Sequence, residues 1–317
     1  MSEHITHPCF QFTTGQTKAK QKLSFHLDAF KMGSPLPFYL FVGARGFGKN
    51  QVAKALAKGI KDTNKDFSAH LINCATIKNI KAFKEQIYDQ KIDGRSTCLL
   101  LDECHNLPDI VQQLFLSAVD VSSDVERVIH TDDGDMRINT RQHVFIFMTS
   151  EPDKLFSPLR DRLETIVMAP YTQDELAQVV LLTNKKVKVS EEIIHDIADH
   201  LRGNPRSAVK MAHAIEKFCL INGSENFGRA EWENFKVIND ISPHALDAVE
   251  IEILRVLAAR GDCSLNDLRA ATGLSRNALM NNHEVFLMHK NFMRVDQKRK
   301  ITEKGRNVLL LVDKLMN

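Results

Sequence analysis

The segment from Phe38 to Asn50 constrains the fold of this chain more than any other stretch. An apolar run leads directly into Gly43-x4-Gly48-Lys49, and the apolar residues that follow recur at helical spacing. A strand, a glycine-rich turn and a helix in this order are typical of a phosphate-binding loop, because glycines let backbone N–H groups surround a polyphosphate. The helix N-terminus and Lys49 add positive charge at the same place. The segment therefore predicts a nucleotide site, with candidate contacts at Gly43, Gly46, Gly48, Lys49, Asn50 and Gln51.

One residue of this motif departs from the usual pattern. Asn50 follows the lysine, where such loops carry a Ser or Thr whose hydroxyl ligates Mg²⁺. An amide oxygen is also a ligand for a hard cation, but its reach differs from that of a hydroxyl. We therefore expect Asn50 to be a magnesium ligand, and ATP binding to survive this change better than hydrolysis does.

An acidic pair supports the same interpretation. The apolar run Thr97–Leu101 ends in Asp102-Glu103, so a buried strand delivers two carboxylates. Next to bound phosphates, Asp102 would hold Mg²⁺ and Glu103 would orient the attacking water. The alternative, a strand end with two solvated acids, is weakened by the loop upstream.

Composition restricts the remaining classes of protein. With 317 residues the chain has room for two or three domains, and its net charge of +2 means that any basic surface must be local. The six cysteines are scattered without a C-x2-C pair, which favours reduced thiols in the cytoplasm. No apolar run is long enough to span a membrane, and the N-terminus lacks a signal-peptide pattern. No histidine pair has metal-ligand spacing, and His105 is expected to pack or to support other residues.

Strands and helices alternate from residue 37 to residue 170, which predicts an α/β domain with a parallel sheet and helices on both faces. Helical periodicity alone follows to about residue 236, and a third unit begins near Leu246. The predicted domains are residues 1–170, 171–240 and 241–317. The candidate strands are Phe38–Val42, His70–Asn73, Thr97–Leu101, Val144–Thr149 and Thr165–Met168.

Three further polar groups invite a functional interpretation beside a structural one. Thr149 ends a predicted strand and would lie near the phosphates, although Thr-Ser at a strand end is often a turn or a cap. Arg160 and Arg162 are either ion-paired at the surface or supply an arginine finger to a neighbouring subunit. Pro205-Arg206 opens a helix, where a cation is unfavourable to the helix itself and indicates an anionic partner.

Residues 246–317 predict a winged helix. Ser264 and Ser275 can cap the second and third of three helices, and the runs Phe292–Val295 and Lys300–Thr302 predict a hairpin. Between residues 290 and 306 there are seven basic and two acidic residues. Either the hairpin tip contacts DNA phosphates or it is a solubilising turn. The candidate DNA contacts are Arg294 and Lys298-Arg299-Lys300.

In this order the motifs resemble those of AAA+ ATPases, and the chain is most similar to the RuvB family of Holliday-junction branch-migration motors. The resemblance covers nearly the whole chain. The matching segments are Gly15-Gln16, Gly43–Lys49, Asp102-Glu103-Cys104-His105, Thr149, Ser157–Arg162, Tyr171 with Glu175-Leu176, and Arg202–Arg206.

The resemblance implies an AAA+ α/β core, an all-α lid and a C-terminal winged-helix domain. It implies ATP and Mg²⁺ as cofactors, a homo-oligomeric ring of six subunits, and double-stranded or branched DNA as partner. It makes Thr149 the sensor 1 residue, Arg162 the finger and Arg206 the sensor of the sensor 2 helix. Tyr171, at the entry to the lid, and Pro205 are further candidate nucleotide contacts. Asn50, and Ala44-Arg45 in place of the usual Pro-Pro, depart from the family and leave the hydrolysis rate open.

A polar insert spans residues 120–139, and its Asp132–Asp135 stretch predicts a hairpin turn. In the RuvB family a hairpin here docks on the RuvA junction-binding partner. The insert is acidic, and only Val128 and Ile129 offer an apolar contact. A docking hairpin and a solvated loop both remain open.

Three functions compete at this stage. The first is an ATP-driven translocase at branched DNA, the second an AAA+ loader or initiator that assembles on DNA without moving, and the third an ATP-binding scaffold with weak hydrolysis.

The adenine is assigned by position either to residues 10–16 or to Tyr171.

Overall fold

The computed structural model describes residues 6–119, 125–132 and 134–316. The chain divides into two compact units, Met1–Thr183 with Gly203–Met211, and Asn184–Arg202 with Ala212–Asn317. The division into three domains at residues 170 and 240 stays a prediction.

The first unit is built on a five-stranded sheet whose strand pairs are all parallel. Its strands lie in the order β2 (Ser68–Asn73), β3 (Thr97–Asp102), β6 (His143–Thr149), β1 (Tyr39–Val42) and β7 (Glu164–Val167). The prediction of a parallel α/β sheet is confirmed, and the five predicted strands lie within one or two residues of the observed bounds. The strands of the unit are β1 (Tyr39–Val42), β2 (Ser68–Asn73), β3 (Thr97–Asp102), β4 (Glu126–Ile129), β5 (Met136–Asn139), β6 (His143–Thr149) and β7 (Glu164–Val167). Its helices are α1 (Thr17–Lys31), α2 (Lys49–Thr63), α3 (Ile80–Phe83) with a π-helical continuation over Lys84–Ile92, α4 (Asp109–Ala118), α5 (Ser157–Arg160), α6 (Gln173–Thr183) and the start of α8 (Pro205–Ile221).

Alternate residues of each central strand point to opposite faces of the sheet, and an apolar cluster covers each face. Leu40 of β1 belongs to one apolar cluster, and its neighbours Tyr39 and Phe41 belong to the other. In β6, Phe145 packs with the first cluster and Ile146 with the second. All the residues of β6 are buried, which explains its nearly continuous apolar sequence. The parallel strands thus end together at one edge of the sheet, and that edge carries the polar residues predicted for the site.

The predicted hairpin of the insert is present, since β4 and β5 pair antiparallel. Ile129 was expected as an apolar contact at the surface, but this is wrong, because its side chain packs in the core and the residue is only 9% exposed. Val128 is 40% exposed on the other face of the strand. Residues 120–124 and 133 of the insert lie outside the described residues.

The second unit is mainly helical and contains two small two-stranded sheets. Ser264 and Ser275 accept hydrogen bonds from backbone N–H groups of the second and third C-terminal helices, as predicted. The helices of this unit are α7 (Glu191–Asp199), the remainder of α8, α9 (Arg229–Ile238), α10 (Ala248–Arg260), α11 (Leu265–Thr272), α12 (Arg276–Ala278) with a π-helical continuation over Leu279–Glu284, α13 (Val285–His289) and α14 (Glu303–Met316). Its strands are β8 (Lys188–Val189), β9 (Asn226–Phe227), β10 (Met293–Val295) and β11 (Arg299–Ile301).

The order of three helices and an antiparallel hairpin after residue 246 is the one predicted for a winged helix. All six cysteines are free thiols. Within the described residues, no helix combines the length and the apolar character needed to cross a lipid bilayer.

Candidate nucleotide site

A cavity of about 380 Å³ lies in the first unit at the edge where the parallel strands end. Most of the predicted nucleotide-site residues line it. From the loop and the start of α2 these are Gly46, Gly48, Lys49, Asn50 and Gln51, and from the other elements they are Asp102, Glu103, Tyr171, Pro205 and Arg206.

Gly46 and Gly48 shape the loop in two ways. Both have left-handed backbone angles, φ +90° and φ +85°, which a residue with a side chain rarely adopts. A Cβ on Gly46 would lie 2.3 Å from Oδ1 of Asn204, and one on Gly48 would lie 2.8 Å from the hydroxyl of Tyr171. The glycines therefore let the loop bend and also let residues from distant parts of the chain pack against it.

Lys49 is buried at the start of α2. Its Nζ donates hydrogen bonds to the carbonyl oxygens of Gly43, at 2.6 Å, and Ala44, at 3.1 Å. Burial lowers the pKa of Lys49, while the nearby carboxylates of Glu103 and Asp102 oppose that shift. The ammonium group thus lies between the loop and the acidic pair, as a lysine that reaches phosphates requires.

Asn50 and Asp102 are in direct contact. Nδ2 of Asn50 donates a 2.8 Å hydrogen bond to Oδ2 of Asp102. The amide oxygen of Asn50 is buried, and it has no hydrogen-bond partner within the described part of the chain. An amide oxygen beside a carboxylate matches the oxygen ligands of Mg²⁺, so the two residues fit the predicted metal.

Glu103 lies beside His105, and the carboxylate oxygen Oε2 of Glu103 is buried without a hydrogen-bond partner within the described residues. Its Oε2 lies 3.5 Å from Nδ1 of His105, and that nitrogen lies 2.9 Å from the hydroxyl oxygen of Thr149. Nε2 of His105 lies 3.3 Å from Oε1 of Glu151. The side chain of His105 is only 4% exposed, so the imidazole connects the predicted water-orienting acid to the predicted sensor. The expectation that His105 supports other residues agrees with this geometry.

Three predicted site residues lie outside the cavity lining. Gly43 packs against Met168, where a Cβ would lie 2.8 Å from the methionine Cβ. Thr149 is fully buried behind Glu103 and His105. Arg162 is exposed just after α5, and its role as a finger stays a prediction.

Both segments that the sequence offers for the adenine line the cavity, and the assignment of the adenine to either of them stays a prediction. Phe12 and Thr14 line the cavity together with Tyr171. Burial raises the pKa of Tyr171 to about 12, so its hydroxyl stays protonated at neutral pH. Five lining residues were missed by the sequence reasoning, namely Val179, Leu182, Thr183, Val209 and Arg45. The first three lie on one face of α6 at helical spacing. This spacing predicts a helix, but it does not tell which part of the chain that face contacts.

Gln16 ties the N-terminal segment to the site. Its Nε2 donates to the carbonyl of Ala169 at 2.7 Å, and its Oε1 accepts from the Ala169 N–H at 3.1 Å. The same Nε2 lies 3.4 Å from the carbonyl oxygen of Phe47 in the loop. This buried glutamine therefore fixes the segment that follows β7 relative to the phosphate loop, which gives the Gly15-Gln16 motif a physical role.

The basic hairpin of the second unit differs from the prediction. Arg299 and Lys300 do not lie at its tip, because β11 begins at Arg299. The Arg299 guanidinium contacts the buried carboxylate of Glu284 at 2.8 and 3.2 Å, and its backbone pairs with Cys263. Lys300 lies 2.8 Å from Asp262. The predicted position of these two residues at the tip is therefore wrong. Arg299 is engaged in packing the unit, whereas DNA contact by Lys300 stays a prediction.

Arg294 and Lys298 are the exposed members of the predicted set. The side chain of Arg294 is 65% exposed and lies 3.9 Å from Asp296, so the two form a solvated ion pair. Lys298 is exposed in the turn between the two strands. The side chains that the third helix offers for a groove are also exposed, namely Arg276, Asn277, Asn281 and Asn282. A DNA-contacting role for these residues stays a prediction.

The parallel α/β core, the glycine-rich loop and the adjacent acidic pair define an AAA+ ATPase. The chain belongs to the family described as Holliday junction DNA helicase RuvB P-loop domain, which matches residues 7–168.

Similar proteins cover nearly the whole chain. It is 25% identical over 308 residues to the Holliday junction branch migration complex subunit RuvB of Fervidobacterium nodosum, covering 92% of this chain and 84% of the relative. The corresponding Thermotoga maritima protein is 26% identical over 303 residues, with 92% and 87% covered. A solved structure of the T. maritima RuvB Holliday junction branch migration motor has a TM-score of 0.74 at 24% identity, with 94% of this chain and 95% of that chain covered.

Proposed function

We propose that the chain is an ATP-driven motor that drives branch migration of Holliday junctions or related branched DNA as a ring oligomer. One observation carries this proposal: Lys49, Glu103 and Arg206 meet around a single cavity in a chain of the RuvB family. Curated relatives named as branch migration complex subunits support the choice of DNA substrate.

Each side chain has a chemical task in this proposal. Lys49 and the loop N–H groups bind the phosphates, and Glu103 orients and polarises the attacking water. His105 forms a hydrogen bond with Thr149 and lies 3.5 Å from the carboxylate of Glu103, where it would orient that group. Arg206 lies in the same cavity and binds phosphate in cis, whereas the exposed Arg162 reaches the ATP of a neighbouring protomer.

Asn50 and Asp102 would hold Mg²⁺ through the amide oxygen and a carboxylate oxygen. The ion, when bound, neutralises charge on the phosphate oxygens. The hydrogen bond between the two side chains must open, or the Asn50 amide must turn, for both oxygens to face the ion.

The assembly belongs to the same proposal. We infer a hexamer, a RuvA-like partner docked through residues 120–139, and duplex DNA contacted by Arg294 and Lys298. Val128 is the exposed apolar residue that the described part of the hairpin offers to a partner. A cytoplasmic location also stays a prediction.

The test combines ATP turnover with strand movement. Purified protein is assayed for ATP hydrolysis with and without four-way junction DNA, and for conversion of labelled junctions into duplex products. We expect junction DNA to stimulate hydrolysis and ATP to drive conversion, and Glu103→Gln to lose both while still binding ATP. Static ATP-dependent complexes without conversion would instead identify a loader or initiator.

The direct contact between Asn50 and Asp102 favours a second candidate, an ATP-binding DNA scaffold with weak hydrolysis. An amide that donates to the metal-binding carboxylate competes with the ion for that oxygen. ATP-dependent binding to DNA without turnover in the natural protein, and without turnover in Asn50→Thr, would support this candidate over the motor.

A further inference from the structure

Arg45 is a second cation of the phosphate loop, and it contacts the acid expected to orient water. Its side chain lines the cavity and is 70% exposed. Its Nε lies 3.8 Å from Oε1 of Glu103, which is an ion-pair distance without a hydrogen bond. The pair therefore joins the loop that binds phosphates to the carboxylate that must be free for hydrolysis.

The backbone of Arg45 is anchored while its side chain projects into the cavity. Nδ2 of Asn204 lies 3.4 Å from the Arg45 carbonyl oxygen, and Oδ1 of Asn204 accepts from the N–H of Arg206. The charges of Arg206 and Arg45 both act to lower the pKa of Lys49, after the larger effect of burial. Three cations thus surround the same space, and Arg45 is the one that forms an ion pair with Glu103 within the described residues.

We propose that Arg45 is a positioning residue that pairs with Glu103 and exchanges this carboxylate for the phosphates when a nucleotide enters. The exchange follows from charge: a polyphosphate carries more negative charge than one carboxylate and lies within the cavity that Arg45 lines. The inference rests on the proposed function, because it requires that the cavity takes ATP. It adds that nucleotide binding and release of Glu103 are one coupled event.

Coupling of this kind has a measurable signature in binding. Replacing Glu103 by Gln removes repulsion of the phosphates, and it also frees Arg45 to contact them. Only the second effect depends on Arg45. The gain in ATP affinity from Glu103→Gln is therefore larger in the natural background than in Arg45→Ala.

The experiment is a double-mutant cycle on affinity for a non-hydrolysable ATP analogue, measured by calorimetry at one salt concentration for wild type, Arg45→Ala, Glu103→Gln and the double variant. Because the arginine is largely exposed, we expect the two gains to differ by about two- to fivefold, the range of solvated ion pairs. Arg45→Lys should retain part of the difference, since it keeps the charge.

A matched control uses another Arg–Glu pair of the same unit. Arg137 and Glu126 lie 3.0 Å apart on the β4–β5 hairpin, outside the cavity lining, so the cycle built from Arg137→Ala and Glu126→Gln should leave ATP affinity unchanged. Equal gains in both Arg45 backgrounds, with normal binding by the natural protein, would overturn the role of Arg45 alone. An absence of nucleotide binding by the natural protein would overturn the proposed function with it.

Discussion

The side-chain amide of Asn50 donates a 2.8 Å hydrogen bond to the carboxylate of Asp102. A Ser or Thr side chain at this position would be shorter than that of Asn. Its hydroxyl would present an oxygen to the cation and would compete less strongly with the cation for the carboxylate. The contact connects a departure in the phosphate loop to the residue expected to hold Mg²⁺, and from it we expect metal loading to limit hydrolysis.

Replacing Asn50 by Thr should therefore raise the rate of ATP hydrolysis. We expect an increase on the order of tenfold, together with a lower Mg²⁺ concentration at half-maximal rate, because metal-site contacts have effects of this size. Steady-state hydrolysis across a magnesium titration measures both. Asn50→Ala serves as the control that removes the amide without adding a hydroxyl, and an equal gain in that variant would contradict the metal-ligand explanation.

Removing the Lys49 ammonium should weaken nucleotide binding. Lys49→Ala loses a charge-assisted contact, which corresponds to at least about tenfold in affinity. Fluorescent ATP titration gives the dissociation constant. Lys54→Ala is the matched control, since Lys54 lies on the same helix with an exposed side chain. Similar losses in the two variants would show that the effect is general electrostatics.

Arg162 should act on a neighbouring protomer's ATP. Arg162→Ala should reduce hydrolysis by about 10³-fold or more, the range for arginine fingers, with ATP affinity little changed. Mixing Arg162→Ala with Glu103→Gln subunits should restore activity. Some interfaces between neighbouring protomers then combine an intact Glu103 from one protomer with an intact Arg162 from the other. Inactive mixtures that form normal rings in electron micrographs would argue against a finger.

Arg202 should be essential to the stability of the second unit. Its guanidinium contacts both carboxylate oxygens of Glu250, at 2.9 and 2.6 Å, and Glu250 is fully buried. It also donates to the carbonyl oxygen of Ala245 and lies 3.9 Å above the ring of Phe286. Arg202→Ala leaves a buried charge without its partner, so we expect the free energy of unfolding to fall by about 3–5 kcal/mol.

Denaturant titration of the full chain measures that loss. Arg229→Ala is the control, because Arg229 pairs with Asp196 where both side chains are about half exposed, and it should cost less than about 1 kcal/mol. Comparable losses in the two variants would show that burial of Glu250 does not decide the energy.

The hairpin residues should separate into DNA contacts and packing residues. Arg294→Ala and Lys298→Ala should each weaken binding to junction DNA and reduce the slope of affinity against salt by about one. Both should leave thermal stability unchanged. Arg299→Ala should instead lower the melting temperature, because it leaves the buried Glu284 carboxylate alone. A salt slope that none of the three variants changes would contradict DNA binding by the hairpin.

Local patterns were sufficient for the core of the site. The glycine-rich loop, the acidic pair after β3 and the alternating strands and helices each lie within short stretches of chain, and their chemistry follows from residue type and spacing. Parallel strands bring their C-terminal ends to one edge, so the meeting of the loop with Asp102 could be inferred before any coordinates.

Contacts between distant residues could not be inferred in this way. Nothing local indicates that Gln16 pairs with the backbone of Ala169, or that His105 contacts Thr149. The basic run of the hairpin shows the same limit, because the register of two strands turns Arg299 toward Glu284 and leaves Arg294 in solvent.

The sequence by itself determined that this chain binds a nucleotide at a P-loop within a parallel α/β core, because those signals are local and chemical. Only the tertiary structure decided which charged side chains face the cavity and which are neutralised inside the fold. The physical reason is that burial and ion pairing depend on which surfaces the packed elements bring together, and a linear pattern does not contain that information.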